Sequence, residues 1–341
     1  MSSPAPTPSP AVNALQRGQA AAQAQPPRFP EALSAYDEAI AALPQHPGND
    51  APHLAGVIHL NRGHAFLALG DTASAAGAFQ AAIDAAGAIH PSSPVLLRGS
   101  TGAAWLNLAG ALRGLPEPDL PAAITALDRA VEILQTLPID TEPVYRRNLA
   151  GALGHRADTR LVAQQAAALE PATADARRAL DLLTSLEKQD PASADLSLKV
   201  RLVLLATGGR EAPAAVTTDL AEEGIALARN WVQRGLVGFA GAVQQLLHIA
   251  ATCYQVRQPH FLAEFWREHL PAPTPAAPNA WLPDETVQAM ARESLSFAWH
   301  ALQDRRLVGD SAAQTRDAEA LQEISALLAE LPPAPAAPAA S

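Results

Sequence analysis

The chain has 341 residues, of which 48% are hydrophobic, 4% aromatic and 17% charged. Nearly a quarter of it is alanine, the strongest helix former, while the β-branched and aromatic residues that suit strands are scarce. This excludes a large β-sandwich, a barrel or a doubly wound sheet, and the regular apolar spacing excludes a wholly disordered chain. A formal net charge of −10 has the wrong sign for gripping phosphate backbones, so nucleic acid is not an expected partner.

The single cysteine, Cys253, allows neither an intramolecular disulfide nor a thiolate metal cage. The N-terminal segment lacks the basic and apolar regions of a secretory signal, and the most apolar stretch, 236–253, is broken by Gln244, Gln245 and His248. These features predict a cytoplasmic protein with no membrane span. Only Lys188 and Lys199 stand against the arginines, which with the alanine excess points to the coding bias of a high-GC bacterial genome.

In chain order, residues 1–11 form a Pro/Ala-rich tail, matched by another at 332–341. Helical segments begin near residue 12. Ala32-x3-Tyr36-x2-Ala39-x4-Pro44 reads as a second helix following a partner at 14–25. Gly63-x2-Phe66-x3-Gly70-x4-Ala75-x3-Phe79-x2-Ala82 describes a whole hairpin. Its small residues lie where two helix backbones approach, Phe66 and Phe79 fill the gap beside them, and Gly70-Asp71 makes the turn. Phe79 is expected to be buried against its own hairpin's first helix, near Gly63 and Phe66. Asn107-Leu108-Ala109 with Ala123, Leu127 and Ala130 repeats the pattern, and Asn148-Leu149-Ala150 with Ala176, Leu180 and Leu183 repeats it over a longer turn. Residues 207–270 read as divergent hairpins, 271–283 as a Pro-rich loop and 284–331 as a C-terminal hairpin.

This spacing resembles the tetratricopeptide repeat family over residues 12–206. The second-helix alanines fall at 32, 75, 123 and 176, so the period exceeds the family's 34 residues. With His46-Pro47 and His90-Pro91 before the following hairpins, the chain is similar to the long-repeat, kinesin-light-chain variety. The resemblance implies an all-α solenoid of six or seven antiparallel hairpins wound into a right-handed superhelix. It further implies a concave groove in which a partner segment docks. On this match Leu60, His64, Leu106, Arg113 and Arg147 line the groove. Asn61, Asn107 and Asn148 recur at one repeat position, either bonding a bound peptide's backbone or bridging adjacent helices. Arg147 either meets a carboxylate of the partner, as arginine does well, or pairs with a neighbouring helix while Arg146 and Arg156 solvate the outer face.

No phosphate loop, nucleophile elbow or catalytic constellation is present in the sequence. His260-x3-Glu264-x4-His269 is the best metal-ligand spacing. However, its second histidine is rotated off the helical face of the first pair, and Leu262, Phe265 and Trp266 indicate packing. The leading expectation is therefore a non-enzymatic scaffold, without cofactor or metal, that binds a protein segment with apolar and acidic residues. The alternatives are a metal-dependent helical enzyme, or an enzyme accessory subunit, using residues 260–269, and a self-assembling scaffold that binds a second copy of the chain.

Overall fold

The computed structural model describes residues 8–46, 50–163, 169–208, 214–270, 284–305 and 311–332. Both Pro-rich tails lie largely, and the 271–283 segment wholly, outside them. The described residues form fourteen α-helices and no strand, so the chain is all-α as its composition predicts. No helix among them is long and apolar enough to cross a membrane.

The chain divides into two compact units, Met1–Leu183 and Thr184–Ser341. The first is an α-solenoid of four hairpins: α1 (Pro10–Ala22) with α2 (Phe29–Ala42), α3 (Ala51–Ala68) with α4 (Thr72–Ala86), α5 (Val95–Arg113) with α6 (Leu120–Leu134), and α7 (Pro143–Val162) with α8 (Leu169–Leu183). Each hairpin is held by small residues facing large ones. A Cβ added to Gly63 would stand 2.4 Å from Phe79 Cε1, so α3 and α4 pack this closely only because residue 63 has no side chain. Phe79 is fully buried, and Phe66 packs against the same core, as expected from the spacing. Gly18 plays the same part in the first hairpin, where its missing Cβ would lie 2.3 Å from Tyr36 Cε1. In the third hairpin the equivalent places hold Ala109 and Leu127, both buried.

The turns follow from local chemistry. Gly70 adopts φ 80°, a left-handed conformation that glycine accepts without a Cβ clash. The Asp71 carboxylate then accepts from the Ser74 N–H at 3.0 Å and caps α4. Asp119 repeats this at α6, accepting from the Ala122 N–H at 3.0 Å. These caps satisfy donors that the first helical turn leaves open. Asp71→Ala is expected to lower stability by about 1 kcal/mol, read as a shift of the urea midpoint with unchanged slope; no shift would mean that water replaces the cap without loss.

The second unit contains α9 (Pro191–Gly208), α10 (Ala214–Gln233), α11 (Ala240–Arg257), α12 (Leu262–His269), α13 (Asp284–Arg305) and α14 (Ser311–Glu330). Helices α10 and α11 form a hairpin, α13 pairs with α14, and the eight-residue α12 packs among α11, α13 and α14. One continuous core gathers Leu198, Ile225, Trp231, Leu246, Trp266, Leu295 and Ile324. The Trp266 indole N–H donates to Ser294 Oγ at 2.7 Å, which satisfies the polar end of a fully buried ring.

Candidate partner-binding face

In the first unit each hairpin's first helix touches the first helix of the next, so α1, α3, α5 and α7 form one layer, and each second helix packs against the first helix of the following hairpin. The residues expected to line a groove all lie on α3, α5 and α7, in the layer of first helices. Their environments differ.

Leu60 is 9% exposed and packs into the core shared with Ala75 and Phe79. Leu106 is half-buried against that core. His64 is exposed, with its ring edge on Phe79 at 5.5 Å between centroids. Partial desolvation beside that ring pulls the His64 imidazole below its ordinary pKa, and the Asn107 side chain, reaching it from α5, opposes the shift. Asn107 thus bridges adjacent first helices, one of the two roles open to the recurring asparagines. Asn61 instead donates Nδ2 to the Val57 carbonyl of its own helix at 2.8 Å. Asn148 and Arg147 are half-buried on α7.

Arg113 forms an ion pair with Asp158 of α7 and lies 3.4 Å from His155 Nδ1. With His53 Nδ1 3.3 Å from Ser100 Oγ, and His64 beside Asn107, this makes a series of polar links between successive first helices. They add polar links to the apolar packing between neighbouring hairpins.

The arginine cluster of α7 divides in a way the sequence does not reveal. Arg146 is no solvated outer residue: its Nε donates to the Ile139 carbonyl at 2.8 Å and Nη2 to the Asp140 carbonyl at 2.6 Å, clasping the turn before the helix. Arg156 likewise is not free. It bonds Asp175 through Nε at 2.7 Å and Nη2 at 2.6 Å, and reaches Asp128 at 2.8 Å. Arg160 joins the same two carboxylates, at 2.8 Å to Asp175 and 3.5 Å to Asp128. The network ties α6, α7 and α8 together.

The 260–269 segment does not assemble a metal centre. His260 Nε2 lies 3.5 Å from Asp317, which is already paired with Arg305 at 2.7 Å. His269 is buried with its ring edge on Phe265, 4.5 Å between centroids. Burial, with the Arg229 charge adding to it, pushes the His269 imidazole down to about 4. Among the described residues no group of three His, Cys, Asp or Glu side chains is placed to hold an ion.

No protein-family model matches the chain, and no curated protein matches it. Among solved structures it is similar to the nuclear import adaptor Nro1 of S. pombe, at 13% identity and a TM-score of 0.36, covering 90% of this chain and 97% of that one. A second structure of Nro1, described as a hypoxic regulator of sterol synthesis and a nuclear import adaptor, gives 12% identity and a TM-score of 0.35 over 90% and 91%. A circular tandem repeat protein with a novel repeat topology gives 14% and 0.24 over 94% and 76%. Likeness at this level carries no argument about what the present chain does.

Proposed function

We propose that the chain is a cytoplasmic, non-enzymatic scaffold of the tetratricopeptide type, and that the layer formed by α1, α3, α5 and α7 binds a segment of a partner protein. The observation that carries this reading is the unbroken succession of first helices. Such stacking creates an extended surface because each repeat contacts only its neighbours, with a small rotation between them. Exposed His64 and half-buried Leu106, Asn148 and Arg147 then offer apolar and polar contact along one face. A partner with apolar anchors and an acidic residue suits it. Leu60 contributes as the floor beneath that face rather than as a contact, and Arg113 as a polar link to α7 with its charge already matched by Asp158.

The test has two steps. A photo-crosslinking amino acid at His64 or Leu106 is expected to trap a partner from native lysate, whereas the same residue at exposed Gln80 on α4 is not. With the trapped protein identified, Arg147→Glu is expected to leave helicity unchanged and weaken its binding by about 1–3 kcal/mol, the worth of a charge-assisted hydrogen bond. Crosslinks confined to α4, or equal affinities for wild type and variant, would place the site elsewhere.

A further inference from the structure

We propose that a cavity in the first unit, remote in character from the docking face, is a binding site for a small apolar carboxylate held by Arg98. The cavity measures about 460 Å³ and opens between the end of α4, the connection that follows it, α5 and α6. That volume lies within the range of sites for small organic ligands. Its walls combine Ile83, Ile89, Ile133 and the Trp105 ring with the polar side chain of Arg98.

Arg98 is the unusual member. It is 8% exposed, an unusual degree of burial for an arginine. Its Nε donates to the Ser93 carbonyl at 3.0 Å, and Nη1 to the Thr136 carbonyl at 2.8 Å and to Thr136 Oγ1 at 2.6 Å. All three acceptors are neutral. The one carboxylate on the cavity wall, Glu132, pairs with Arg129 at 2.7 Å, and both of those side chains are well exposed. Arg98 therefore brings a positive charge to the cavity with no carboxylate within ion-pair distance among the described residues, and its bonds to Ser93 and Thr136 use Nε and Nη1, not Nη2. Buried charges in folded proteins are ordinarily matched by an opposite charge.

A ligand carboxylate supplies that match. The guanidinium is already oriented by Ser93 and Thr136, so little side-chain freedom is lost on binding. Ile83, Ile89, Ile133 and the Trp105 ring give the cavity an apolar side, beside His90, Thr101, Gln135 and the Arg129–Glu132 pair, and that side suits a hydrocarbon or aromatic body behind the carboxylate. Trp105, partly packed against the core of the first unit, adds its ring surface to the cavity wall.

The experiment is calorimetric titration of the full chain with 3-phenylpropanoate and with its neutral amide, which has nearly the same shape. The acid is expected to bind at one equivalent and at least tenfold more tightly than the amide. Trp105→Ala leaves the Arg98 contacts to Ser93 and Thr136 in place, and is expected to weaken the acid several-fold. Arg98→Met, where circular dichroism shows it folded, is expected to abolish the preference for acid over amide. If that variant does not fold, the acid–amide comparison on the wild type and the Trp105 variant decides. An acetylated tetrapeptide ending in phenylalanine separates the two sources of such a carboxylate. Binding equal to the free acid points to a protein C-terminus, and weaker binding points to a metabolite. Equal affinity for acid and amide, or no binding of either, overturns the proposal.

Discussion

Phe79→Ala is expected to lower the stability of the first unit by about 3–5 kcal/mol, the range for removing a fully buried aromatic ring. The ring is 0% exposed, and it lies against the backbone of α3 where residue 63 has no side chain. Gly63→Ala attacks the same contact from the other side. Its new Cβ would stand 2.4 Å from the ring, well inside any real carbon–carbon contact, so the helices must part. A loss of about 1–3 kcal/mol follows from overpacking. The combination Gly63→Ala with Phe79→Leu is expected to recover much of that loss, since the third hairpin packs Ala109 and Leu127 at the equivalent places with both side chains buried. The two positions are therefore coupled, not additive. Hydrogen exchange of the α3 and α4 amides reads the effect locally, which matters in an array whose repeats need not unfold together. A Phe79→Ala loss below about 1 kcal/mol, or a double variant no better than the sum of its parts, would show that this contact does not set the hairpin.

The same hairpin explains why much of the fold was legible in the sequence. Gly63 meets Phe79 at |i−j| of 16, and both fall within one pair of helices joined by Gly70-Asp71. Helix period, turn and cap are all local, so a single sequence carries them. Gly18 against Tyr36 obeys the same rule, but the signal there is only one glycine among alanines and glutamines. The electrostatics behave differently. Arg156 finds Asp175 nineteen positions away and Asp128 twenty-eight away, on two different helices. No period links these residues, so a cluster that reads as partner-binding or solvated turns out to be partly a cross-brace. Arg113 is another case: its helix and face follow from the repeat, while its pairing with Asp158 depends on how α5 lies against α7. The Arg98 cavity was least legible of all, because it is shaped by the chain between α4 and α5 as much as by the helices themselves.

Arg201→Met is expected to be among the most damaging single changes in the second unit, costing about 3–5 kcal/mol as the loss of one partner in a buried ion pair. Arg201 and Glu187 have side chains only 5% and 6% exposed, with Nη1 2.9 Å from Oε2 and Nη2 3.4 Å from Oε1. Ser197 donates its hydroxyl to the same carboxylate. The pair also anchors the segment entering α9, since the Glu187 carbonyl accepts from the Trp231 indole at 2.9 Å and carries the bond across to α10. Removing the arginine leaves a carboxylate in the interior with one hydroxyl for company. Removing both charges is a different matter, because the desolvation of two ions no longer has to be offset. Glu187→Met combined with Arg201→Met is therefore expected to be much more stable than Arg201→Met alone, and within about 1 kcal/mol of wild type where the two methionines fill the space. The second unit's own transition, followed by the fluorescence of Trp231 and Trp266 during urea unfolding, measures both variants. If Arg201→Met unfolds at the wild-type midpoint, the pair is solvated in solution and contributes nothing. If the double variant falls as far as the single one, Ser197 and the Trp231 bond, rather than the matched charges, hold this part of the core.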